Sequence, residues 1–143
     1  MKYSMRALVM GAALLFAAPG MAGETPAPDG AEIYIISPAD GAKVKSPVQV
    51  VFGMRGMGVA PAGVEKENTG HHHLLVDTPM LEGDALNEAI PKDGKHIHYG
   101  GGQTEGTLEL TPGKHTLQLL LGDHNHIPHM PPVHSPPVTI TVE

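Results

Sequence analysis

The chain has 143 residues, no cysteine, and fifteen Asp and Glu against nine Lys and Arg. Lack of cysteine excludes disulfides, thiolate metal sites, blue-copper centres and thiol nucleophiles. The acidic balance argues against nucleic acid as a partner, because displacing counterions from phosphates needs basic surface.

Residues 1–22 read as a secretory signal. Lys2 and Arg6 make a positive start, an apolar stretch runs from Ala7 to Ala18, and Gly20-Met21-Ala22 offers the small residues a signal peptidase reads. The apolar run is shorter than the ~20 residues of a membrane span. The expectation is a periplasmic protein, cleaved after Ala22, with no membrane span afterwards. Two of the nine bases, Lys2 and Arg6, lie in the signal and all fifteen acids follow it, so seven bases face fifteen acids and residues 23–143 carry −8 with His neutral.

Residues 23–30, GETPAPDG, read as a short flexible lead. From 31 to 143 the pattern predicts one all-β domain. AEIYIIS (31–37) is rich in β-branched and aromatic residues, and SPADG makes a turn. PVQVVFGM (47–54) puts Val48, Val50 and Phe52 on one face. Residues 55–69 lack periodicity and read as a long loop. HHHLLVDT (71–78) is the next strand. DALNEAI (84–90) predicts one or two helical turns, with Asp84 as cap and Pro91 as stop. KHIHYG (95–100), EGTLELT (105–111), HTLQLLLGD (115–123) and VTITVE (138–143) complete the set. Period-two alternation in about seven short strands predicts antiparallel sheets, each with one buried face. The predicted architecture is an immunoglobulin-like β-sandwich.

Ten histidines stand out. Imidazole clusters suit divalent transition metals, which bind the neutral ring nitrogen. Residues i and i+2 of a strand share a face ~6.5 Å apart. His71 and His73 can therefore reach one metal, and so can His96 and His98. His124, His126 and His129 sit in a turn-like segment, GDHNHIPH, and can converge. Asp77 shares a face with His71 and His73, and Asp123 offers a carboxylate beside His124. His72 is in phase with Leu74 and Val76, and His115 with Leu117, Leu119 and Leu121, so both read as core or rim residues. His134, among prolines, reads as surface. The His-carboxylate set suits Cu or Zn. Met54, Met57, Met80 and Met130 read as gap-fillers rather than thioether ligands.

Several motifs fail. In HIHYGGGQTEG, Glu105 follows His98 by seven residues, too far for a cupin metal motif. The HIH of copper–zinc superoxide dismutases comes with disulfide cysteines that are missing here. No nucleophile elbow or phosphate cradle is present.

Three segments, GHHHLL, HIHYGGGQTE and GDHNHIPHMPP, with IYIISPADGAKVKSPVQVVFGM before them, resemble the domain of unknown function 4399 family of small exported Gram-negative proteins. The resemblance covers nearly all of the chain after the signal. It implies that His71 to His73, His96 to His98 and His124 to His129 belong to the family pattern, and it carries over no catalytic residue. The leading expectation is a binding protein with a Cu or Zn site built from His71, His73, His96, His98, His124, His126 and His129. An immunoglobulin-like interaction module contacting an envelope protein, with the histidines as polar scaffolding, is the alternative. A metal-dependent enzyme is the third reading.

Overall fold

A computed structural model describes residues 25–143; the expected signal lies outside the described residues. The strands are β1 (Glu32–Ser37), β2 (Lys43–Val44), β3 (Val48–Arg55), β4 (Gly58–Val59), β5 (Thr69–Val76), β6 (His96–His98), β7 (Glu105–Leu108), β8 (Gly113–Gly122) and β9 (Val138–Val142). One sheet runs β1-β3-β7, and the other runs β2-β9-β8-β5-β4, with β6 also on β5. All pairs are antiparallel except those made by the two-residue strands β2 and β4. Strands one, three and seven facing nine, eight and five is the A, B, E against G, F, C arrangement of an immunoglobulin-like sandwich.

Alternation builds the core. Ile33 from β1, Val48, Val50 and Phe52 from β3, and Leu108 from β7 meet Leu74 and Val76 from β5, Leu117, Leu119 and Leu121 from β8, and Ile140 and Val142 from β9. The second sheet departs from the expectation of one buried face. The runs HHHLLV in β5 and LQLLLG in β8 do not alternate, and both faces are covered at the sheet centre. On the outer face Leu75 and Leu120 pack against Ile90, with Met80 and Leu81 partly buried beside them. The segments after β5 and β8 fold back over that face and turn it into a second interior.

In the described part of the lead, Ala27 N–H donates to the Met130 carbonyl (3.0 Å) and Met130 N–H to that of Thr25 (2.9 Å). Two local expectations are corrected. The 55–69 loop contains β4, which pairs with Thr69 and Gly70. The helical segment is a 3-10 turn over Gly83–Asn87, so Asp84 lies in its first turn and Glu82 stands at the cap position.

Gly70 is required by close packing. A Cβ there would stand 2.7 Å from the Gly122 carbonyl oxygen and 2.8 Å from Leu121 Cγ. Backbone cannot yield as a flexible side chain can. Gly70→Ala should therefore cost about 1–3 kcal/mol, read as a lower urea midpoint at unchanged slope.

Candidate metal centre

Three elements bring four imidazoles together on the outer face of the second sheet. Successive side chains of β5 point to opposite faces of the sheet, so His71 and His73 face outward and His72 faces the core against Phe52, with ring centroids 5.1 Å apart. β6 lies antiparallel to β5 with His98 opposite His73. On the other side of β5, β8 places Gly122 opposite His71. A Cβ on Gly122 would stand 2.7 Å from His73 Cε1 and 3.3 Å from His126 Cα, so glycine makes the room both need.

The fourth ring comes from the turn after β8. Asp123 is buried and organises it. One carboxylate oxygen accepts the N–H groups of Asn125 (2.8 Å) and Ile127 (3.0 Å), and the other accepts the Thr25 hydroxyl (2.6 Å). The Asp123 carbonyl accepts His126 N–H at 2.9 Å. His126 closes the turn at φ 68°, a left-handed conformation that non-glycine residues seldom adopt and that recurs at functional positions. Its carbonyl accepts Ile90 N–H at 2.8 Å, which docks the 84–92 segment over the cluster.

The ring centroids of His71 lie 4.7 Å from His73, 5.0 Å from His98 and 5.0 Å from His126. His98 and His126 are 4.7 Å apart, His73 and His98 5.0 Å, and His73 and His126 6.0 Å. One ring nitrogen each from His71, His98 and His126 lies within 4.8 Å of the other two. Ligands at 2.0–2.1 Å from a tetrahedral ion would stand ~3.4 Å apart, so shifts of about 1 Å would close the triad.

The electrostatics favour neutral rings at His71, His73 and His98. Burial pushes His71 down to about 4, helped by His126 and His98. It pushes His73 down to about 3, with His71, His98 and His126 adding to it. His98 is lowered by burial, then by His126 and Lys92. Both nitrogens of His71, Nδ1 of His73 and Nε2 of His98 are buried without a hydrogen-bond partner among the described residues. Each such group costs ~1–3 kcal/mol, and a metal ion would supply the missing partner. A cavity of about 250 Å³ adjoins the cluster, lined by His73, Ala89, Ile90, Pro91, Lys92, His98 and His126.

The other sequence candidates are placed elsewhere. His96 shares a face with His98, but its Nδ1 is held by Asp93 at 2.9 Å. His124 turns to Asn125, with Nε2 to Nδ2 at 2.9 Å. His129 is buried with Nε2 against the Thr69 carbonyl at 3.1 Å. The 124–129 segment is too tightly turned to aim all three imidazoles at one point. Asp77 leaves the β5 face at φ 51°, and Asp123 spends its oxygens on the turn, so neither joins the rings. The rings that converge are all imidazole, and the carboxylates of Asp77 and Asp123 lie outside them; the Asx-type turn signal in GDHNH was the clue to the role of Asp123.

His72 sits on the core side, where burial lowers it to about 4 against a weaker upward pull from the Gln103 backbone. His134 is exposed. Met54 and Met57 pack on the main core and Met80 on the second cluster. His115 bridges the Asp77 carboxylate (2.7 Å) and the Thr111 carbonyl (2.8 Å). The bond to Asp77, then that to Thr111, raises its pKa above 6.5. This pair therefore stabilises fully below pH 6.5 and weakens as pH rises through the raised folded value. His115→Asn should cost up to ~1 kcal/mol at pH 5.5, the range of a partly exposed pair, and less at pH 9. Urea midpoints at the two pH values check this.

Among the described residues no helix is long and apolar enough to cross a membrane. The profile described as Domain of unknown function (DUF4399) matches residues 50–143. No curated protein matches the chain. Among solved structures, the chain is similar to the fibronectin(III)-like modules of CbhA from Clostridium thermocellum. That similarity has 12% identity and a TM-score of 0.37, over 78% of this chain and 45% of the other.

Proposed function

We propose that this chain, which belongs to the domain of unknown function 4399 family, binds a divalent transition metal, Cu or Zn, through His71, His98 and His126. The observation that carries this reading is the convergence of three imidazole nitrogens from three separate segments, with His71 buried and His98 and His126 half-buried. Both ring nitrogens of His71 have no partner among the described residues. An imidazole set without carboxylates suits Cu or Zn over Mg or Ca. The signal-like residues 1–22 support a periplasmic setting, where the protein would hold or carry the ion.

The test is calorimetric titration, with elemental analysis, of protein purified without a histidine tag. One Cu²⁺ or Zn²⁺ per chain with Kd below about 1 μM is expected, which corresponds to about −8 kcal/mol. Chelation should then lower the melting temperature, since a ligand that binds only the folded state stabilises it. No binding and no chelator effect would sink the metal reading and favour the interaction module.

A further inference from the structure

The triad leaves one side of the centre to the cavity. His98 and His126, two of the three convergent residues, line it, and so does His73, which stands outside the triad. Ala89, Ile90 and Pro91 form its apolar wall, and Lys92 is the charged residue on its lining. No carboxylate lines it, so the local charge favours an anion. About 250 Å³ is below the usual 300–1,000 Å³ of drug-sized sites, which limits the occupant to a few heavy atoms. Three protein ligands with an exchangeable fourth position is the arrangement of open metal sites, whereas structural sites are closed by four.

We propose that the metal centre is open, and that a small monoanion of the carboxylate class occupies its fourth position in the cavity between His98, His126 and Lys92. This inference rests on the metal reading above. His73 lines the same cavity beside His98 and His126. The 84–92 segment, docked through Ile90 N–H on the His126 carbonyl, is the wall that shapes the pocket.

The test uses protein loaded with Co²⁺ or Cu²⁺, titrated with acetate and with azide. The cobalt visible bands report coordination, and azide on Cu²⁺ gives its own charge-transfer band. Saturable spectral changes at millimolar anion are expected. Lys92→Gln should still load metal but weaken anion binding about fivefold or more. Ala89→Phe, which fills the cavity, should load metal and lose the anion response. If metal loads but anions leave the spectrum unmoved, the centre is closed and this inference alone falls. An anion response unchanged in both variants also overturns it, because the anion then binds elsewhere. If no metal loads, the metal reading falls and takes this one with it.

Discussion

His71→Ala is expected to lower Cu²⁺ or Zn²⁺ affinity by at least ~100-fold, about 2.8 kcal/mol at 1.4 kcal/mol per tenfold. His96→Ala and His124→Ala should each stay within about threefold of the parent. The asymmetry follows from placement. His71 is fully buried, central to the ring cluster and unpartnered at both nitrogens among the described residues. His96 and His124 are bonded to Asp93 and Asn125 instead. Titration calorimetry on the three variants decides it, and equal losses in all three would refute the triad. Asp123→Asn should cost metal affinity ~10-fold without touching the ion, because its carboxylate holds the turn that presents His126.

A companion measurement separates function from stability. A buried imidazole with no partner is a liability to the metal-free fold. His71→Leu should therefore stabilise the metal-free protein by ~1–3 kcal/mol while abolishing metal binding. A polar scaffold would give the reverse, since removing a bonded member of a network destabilises it. Urea unfolding in chelator distinguishes the two.

The sandwich was legible because alternation in VQVVF and VTITV writes one buried face into each of those strands. It failed at HHHLLV and LQLLLG, where continuous burial reflects a second covered face that depends on segments distant in sequence. The i, i+2 rule puts His71 and His73 on one face, where their ring centroids lie 4.7 Å apart, since that spacing is a property of the strand itself. It misled at His96, where Asp93, three residues away, captures the ring. His126 was reachable only as one of three turn histidines. Choosing it over His124 and His129 needed the turn made by the Asp123 carboxylate, whose partners include Thr25, 98 residues away.

Metal-free protein should unfold in mild acid. His71, His72 and His73 are consecutive and buried, with folded values of about 4, about 4 and about 3. In the unfolded chain all three titrate near the ordinary value of 6.5. Between pH 6.5 and 4 the unfolded chain therefore binds protons that the folded chain refuses, and stability falls as pH falls. Each histidine contributes a slope of up to 1.36 kcal/mol per pH unit. From pH 6.5 to 5 the three together remove on the order of 4 kcal/mol, a large share of the 5–15 kcal/mol typical of a domain. His115 adds no opposing slope there, because its stabilising protonation is already complete below 6.5. The measurement is a series of urea midpoints from pH 7.5 to 4.5 in chelator. Equal stability at pH 7 and pH 5 would refute the account. Two further comparisons fix the cause. His72→Leu should remove about a third of the slope and leave metal affinity unchanged, since His72 lies on the core face. Bound metal should move the acid transition to lower pH, because coordination holds His71 neutral and protons must displace the ion before that ring can charge.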